Sequence, residues 1–325
     1  MKNTLLISLL LTASLASTVK AVAAKSLSEE TSNHLTAPLQ QKKWIHGSQD
    51  CKTNEDPAIE VFEYDNSSYI LRQNKCLSYE APFIYVLVGE EKILVIDTGA
   101  TESAEEFPLY QTIQSIKQKH TAKDNKEREI LVVHSHSHSD HYATDSQFTG
   151  QPGVTVVAAN DTGVKEFFAF ENSPQQQTQL ELGGRNITVI PTPGHQEEAI
   201  AIYDTQTKWL LTGDTFYPGY IYIKDWDDYR KSIARLVSFT QNHSVSAILG
   251  AHIEMTNRPG EYYDVGTLYQ PEESPLPLMQ ADLETLNTKL NQSDKAGKIT
   301  MDKVIVEPLG VLPKLIGNIA KWFIQ

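Results

Sequence analysis

Cysteine is nearly absent from this chain: of 325 residues only Cys51 and Cys76 carry a thiol, and neither lies in a Cys-x-x-Cys pair. Dithiol redox chemistry and thiolate metal clusters are therefore not expected. Basic residues are also in the minority, with 28 Lys plus Arg against 41 Asp plus Glu. The resulting formal charge of −13 opposes close approach to a polyanionic backbone, so nucleic acid is not expected as a partner. The N-terminal apolar stretch, Leu5 to Ala16, is too short, and too broken by Ser8, Thr12 and Ser14, to cross a hydrocarbon layer of about 30 Å. No stable membrane span is expected from it. The chain also lacks a Gly-x-Ser-x-Gly elbow and a Walker-type phosphate loop, which removes the usual signals of serine nucleophiles and nucleotide chemistry. What remains is an ordinary globular composition, 40% apolar, 21% charged and 9% aromatic, in a chain long enough for one large domain or two smaller ones.

The N-terminus has the form of a secretion signal: Lys2, the apolar stretch, then the small residues Ala21, Val22, Ala23 and Ala24. Cleavage near Ala23 removes Lys2 and Lys20 and takes the formal charge from −13 to −15. The mature protein is then periplasmic or secreted. In such a compartment Cys51 and Cys76 either form a disulfide or remain as two separate thiols.

Four segments follow from the pattern: a signal peptide at 1–23, an N-terminal extension at 24–79, a catalytic domain at 80–275 and a C-terminal helical extension at 276–325 packed on it. Residues 24–58 are polar and without period. From Phe83 short apolar and β-branched runs begin: Phe83–Val88 and Ile93–Ile96 as a hairpin, then Ile130–Val133, Val154–Ala158, Ile187–Ile190, Ile200–Tyr203, Trp209–Leu211 and Val245–Leu249 as strands. Helical stretches are predicted at Ser103–Lys119, Asp161–Phe170, Asp227–His243, Leu278–Leu290 and Leu312–Phe323. The class is mixed α and β.

The chemistry concentrates after the strand Ile130–Val133, where His136, His138, Asp140 and His141 stand within six residues. Positions two apart on an extended strand end point the same way, so His136 and His138 can grip one metal ion while Asp140 and His141 reach the other side of the turn. Imidazole and carboxylate without thiolate suit zinc, with Fe or Mn as alternatives. His195 after Pro193-Gly194, Asp214 after Thr212-Gly213 and His252 after Gly250-Ala251 each follow an apolar strand. Together these residues supply seven potential ligands from the ends of four strands.

Ser135-His136-Ser137-His138-Ser139-Asp140-His141, Pro193-Gly194-His195, Gly213-Asp214-Thr215 and Gly250-Ala251-His252 resemble the metallo-β-lactamase-fold hydrolases in order and spacing, and Ile96-Asp97-Thr98-Gly99 resembles that family's early strand end. The resemblance covers roughly residues 80 to 255. It implies a four-layer αββα sandwich with a two-metal site at one edge between the sheets. It further implies that His136, His138 and His195 hold the first metal, that Asp140, His141 and His252 hold the second, and that Asp214 bridges them. Class B β-lactamases usually place Cys or Ser at the bridging position, whereas glyoxalase II-like thioesterases and acyl-homoserine lactonases place Asp there. A signal peptide argues against a cytoplasmic glutathione thioester, so neither well-known subfamily fits cleanly.

Gln196, Glu197 and Glu198 depart from the small and hydroxyl residues that many members place after the third motif. If their side chains face the site they disfavour strongly anionic substrates; otherwise they face solvent. His134 is read as a support for the ligands or as strand-end structure, and Asp97 as an orienter of one imidazole or as a turn cap. Tyr217 and Tyr220 either hydrogen-bond a substrate carbonyl or pack. His34, His46, His120 and His243 have no motif around them and are expected at the surface.

The expected activity is hydrolysis of an ester, lactone, thioester or amide bond in a small molecule. The nucleophile is hydroxide generated between two zinc ions, with Asp140 accepting its proton. The alternatives are a β-lactamase, a noncatalytic metal-binding scaffold and a di-iron redox protein.

Overall fold

Phe83-Ile84-Tyr85-Val86-Leu87-Val88 is buried along its whole length, which requires cover on both faces. The computed structural model shows that cover, and describes residues 38–170, 176–292 and 295–310. The segment 1–23 expected to be a signal peptide, His34 and the helix expected at Leu312–Phe323 lie outside the described residues. β1 (Ile59–Asp65), β2 (Ser68–Gln73), β3 (Phe83–Val88), β4 (Lys92–Ile96), β5 (Glu129–Val133) and β6 (Val154–Val156) form one sheet in that order. β4 to β6 are parallel and the rest antiparallel. β7 (Thr178–Glu181), β8 (Asn186–Pro191), β9 (Ile200–Asp204), β10 (Trp209–Gly213) and β12 (Ala247–Gly250) form the second, in the order β12-β10-β9-β8-β7. A third, small sheet joins β11 (Tyr220–Ile223), β14 (Ile305–Pro308) and β13 (Ile299–Thr300).

The helices that flank the sheets and the site are α1 (Leu109–Asp124), α2 (Ser139–Tyr142), α3 (Asp161–Phe168), α4 (Trp226–Asn242) and α5 (Gln280–Asn291). Strand alternation assigns the layers. Phe83, Tyr85 and Leu87 meet Ile187, Val189, Ile202 and Leu211 in the core between the two large sheets. Ile84, Val86 and Val88 point the other way, onto Leu109, Ile113 and Ile116 of α1. On the far side, Ile190, Ala201 and Leu210 pack against Tyr229, Ile233 and Leu236 of α4 and Leu283 and Leu286 of α5. Helix, sheet, sheet and helix thus stack as the αββα sandwich.

Two expectations are corrected. The first helix begins at Leu109 rather than Ser103, because Pro108 disfavours helical backbone at the residue before it. Residues 59–73, assigned by sequence to an extension, are the first two strands of the main sheet. Cys51 and Cys76 form the disulfide, tying the segment before β1 to the turn after β2.

Candidate metal centre

The C-terminal ends of β4, β5, β10 and β12 open at one edge of the sandwich. Past Val133 the strand ends, and the chain bends through Ser135 to His138 before turning into α2, which carries Asp140 and His141. Asp214 follows β10 immediately. Gly213 takes a left-handed backbone there (φ +50), and a Cβ on it would lie 2.4 Å from that of Ser135, so glycine lets the two strand ends meet. His195 sits on a loop docked to α4: a Cβ on Gly194 (φ +141) would lie 2.5 Å from the Tyr229 backbone, and Ser232 Oγ donates to the Pro193 carbonyl at 2.7 Å.

These loops bring all seven predicted residues together in two groups, His136, His138, His195 with Asp214, and Asp140, His141 with His252. His138 Nδ1 lies 2.9 Å from His136 Nε2 and 3.1 Å from His195 Nε2. Asp214 Oδ2 lies 3.6 Å from His136 Nε2, His195 Nε2 and His141 Nε2, and its Oδ1 3.3 Å from His252 Nε2. Asp140 Oδ2 stands 3.1 Å from His141 Nε2 and 3.3 Å from His252 Nε2. Asp214 therefore faces both groups.

The outer ring nitrogens show which way the lone pairs point. His195 Nδ1 donates to the Tyr222 carbonyl at 2.8 Å, His252 Nδ1 to the Glu80 carbonyl at 2.9 Å, and His141 Nδ1 to Asp97 Oδ2 at 3.0 Å. His136 Nδ1 lies 3.1 Å from Ser135 Oγ, which itself donates to Asp97 Oδ2 at 2.9 Å. With the hydrogens outward, the inner nitrogens present lone pairs to each other and to two carboxylates. Asp214 Oδ1 is buried without a hydrogen-bond donor. An inward-facing set of acceptors with an orphaned carboxylate oxygen fits metal cations.

The local field agrees. Burial lowers the pKa of His136 and takes that of His195 down to about 4, so both rings favour the neutral, ligating form. On the other side burial is outweighed by Asp214 and Asp140, which lift His252 to about 9, and by Asp140, Asp97 and Asp214, which hold His141 well above its usual value. Burial acts against the charge of Asp214, yet the surrounding imidazoles hold its carboxyl well below the usual range. Carboxylates stay ionised here, and the site attracts positive charge.

The profile described as the Metallo-beta-lactamase superfamily matches residues 80–243. The chain belongs to this superfamily. Two relatives are the proteins named acyl-coenzyme A thioesterase MBLAC2 from Bos taurus and Homo sapiens, 27% and 28% identical over 204 residues, spanning 52% of this chain and 72% of theirs. Among solved structures it is similar to a metallo-beta-lactamase from Pontibacter korlensis (18% identity, 72% of this chain, all of that one, TM-score 0.47) and to one from Hirschia baltica (16%, 61% and 91%, TM-score 0.44). The chain is a metal-dependent hydrolase of the superfamily. Among the described residues no helix is long and apolar enough to cross a membrane.

Several readings gain a definite placement within this superfamily frame. Asp97 contacts His141 as expected of an orienter. His134 is buried, with Nε2 2.9 Å from Asp145 Oδ1, an aspartate that also accepts from Thr98 Oγ1 at 2.8 Å. Tyr217 is buried and donates to Glu254 at 3.1 Å, and the Tyr220 hydroxyl donates to Glu307, so the structure gives both tyrosines protein partners. His120, expected at the surface, is buried against the Tyr69 hydroxyl at 3.0 Å. Glu198 is buried and accepts from the Ser137 N–H at 2.9 Å, while Glu197 pairs with Lys224 at 3.5 Å. Neither glutamate acts as a free negative charge at the ligands. The Glu80 and Tyr222 carbonyls carried no sequence signal, because any residue type supplies one.

Proposed function

We propose that this chain is an exported dinuclear zinc hydrolase acting on a small uncharged or amphipathic molecule. It cleaves an ester, lactone, thioester or amide, with the ester or thioester carbonyl favoured. One observation carries the reading: five imidazoles and two aspartates converge with their lone pairs inward. His136, His138 and His195 would hold one ion, Asp140, His141 and His252 the other, and Asp214 would serve both. When bound, such a pair lowers the pKa of water from about 15.7 towards about 7 and polarises a carbonyl. Asp140, whose Oδ2 lies 3.1 Å from His141 Nε2 and 3.3 Å from His252 Nε2, would stand beside the attacking water and accept its proton. Asp97, Ser135 and the Glu80 and Tyr222 carbonyls keep the imidazoles from turning during turnover.

The thioesterase relatives support the thioester preference. The leader-like segment at 1–23 and the Cys51–Cys76 disulfide support a periplasmic or secreted location.

Elemental analysis of the purified protein, joined to a screen of thioesters, aryl esters, lactones and β-lactams, tests the reading. About two zinc ions per chain with turnover is expected from the paired-site chemistry, and Asp214→Ala should lose metal and turnover together. Metal-free protein inert toward all four classes overturns the proposal. Opening of a chromogenic cephalosporin alongside inert esters and thioesters replaces it with the β-lactamase reading.

A further inference from the structure

Four of the five converging imidazoles have their outer nitrogen on an oxygen; His138 differs, and the difference singles out a residue on another loop. His138 turns Nδ1 inward, toward His136 and His195, so its outer atom is Nε2. That atom lies 2.5 Å from Nε2 of the Gln196 side-chain amide. An amide NH2 only donates, and a ring whose Nδ1 offers a lone pair carries its hydrogen on Nε2, so two donors would face each other. Turning the amide over resolves the clash, because the oxygen and nitrogen of glutamine are distinguished only by their hydrogen-bond partners.

We propose that Gln196 is a positioning residue whose Oε1 accepts from His138 Nε2–H and so aims the Nδ1 lone pair at the first metal. Its neighbour Glu198 completes the clamp by accepting from the N–H of Ser137, between the two ligands His136 and His138. The loop that supplies His195 thus also grips the strand end that supplies the other two ligands. The run Gln196-Glu197-Glu198, where the sequence departs from the family pattern, is a mechanical link between two ligand loops. This rests on the dinuclear reading above, since it assigns His138 to a metal.

The test is zinc affinity of the full mature chain, measured by competition with a chromophoric chelator, together with the ligand-field spectrum of the cobalt-loaded protein. Gln196→Met keeps the size and removes the acceptor, and is expected to weaken one of two sites by roughly 10–100-fold, the range for a lost outer partner of a metal-bound histidine. Gln196→Glu keeps an acceptor and is expected to restore affinity and spectrum. Wild-type affinity in Gln196→Met, or equal losses in both variants, overturns the positioning role. His138→Ala separates the two ideas: it should lose one metal, and if it keeps full metal content the dinuclear reading itself fails, whatever Gln196 does.

Discussion

Asp97 shows how much one side chain organises at the end of β4. It takes a left-handed backbone (φ 67), and its Oδ1 accepts from Ser135 N at 2.7 Å. Oδ2 accepts from Ser135 Oγ and from His141 Nδ1. The sequence left two roles open, turn cap and imidazole orienter, and the structure assigns both at once. Asparagine tolerates the same backbone and retains one oxygen, so Asp97→Asn removes chiefly the charged acceptor. Metal affinity should fall roughly 10–100-fold in a competition titration. Unchanged affinity would reduce Asp97 to a cap. The candidate ligands were legible because four of them crowd into six residues after one strand and the other three stand in short motifs after apolar strands. Their supports were less so: Asp97 carries a family motif, whereas the outer acceptors of His195 and His252 are backbone carbonyls.

At the scale of elements, legibility followed burial. Strands covered on both faces are apolar runs, β3 along its whole length and β4 and β5 after a leading Lys92 and Glu129. β2 is equally buried but contains Ser68, Arg72 and Gln73. Arg72 forms a two-pronged ion pair with Glu273 at 2.6 Å, Ser68 accepts from Arg185 at 2.8 Å, and Gln73 donates to Thr101 at 2.6 Å. Partners distant in sequence make those polar side chains compatible with a core, and local pattern cannot show them. The turn after β2 is held by the disulfide and by Asn74, which donates to Asn54 at 2.8 Å, and it leads to the Glu80 carbonyl that receives His252. Removing the bridge with Cys51→Ala and Cys76→Ala, 25 residues apart, should cost about 3 kcal/mol in denaturant unfolding. The sheets should remain intact, because their core lies elsewhere. A loss below about 1 kcal/mol would show that Asn74 and its partners hold the turn alone.

Across the whole molecule, the clearest pH signature comes from Lys75, buried with its Nζ donating to the Tyr79 carbonyl at 2.7 Å. Burial, aided by Arg72 and opposed by Glu273 and Glu254, lowers its pKa to about 8 from 10.5. The folded state therefore prefers the free amine, and the unfolded chain binds more protons between these values, so stability rises with pH from about 8 to about 10.5. Relative to Lys75→Met, wild type should gain about 2 kcal/mol between pH 7 and pH 9.5. Parallel denaturation curves for the two proteins at both pH values would contradict this burial cost. By itself the sequence determined the mixed α/β class, from strand and helix periodicity, and the seven candidate ligands and hydrolase superfamily, from motifs that resemble a known family, because residue type, spacing and motif order are local. Only the tertiary structure decided that residues 59–73 complete a sheet, that Glu198 binds inward while Glu197 stays exposed beside Lys224, and that Gln196 meets His138. Those facts depend on which distant groups share one small, water-poor volume, where most buried polar atoms are held by a partner.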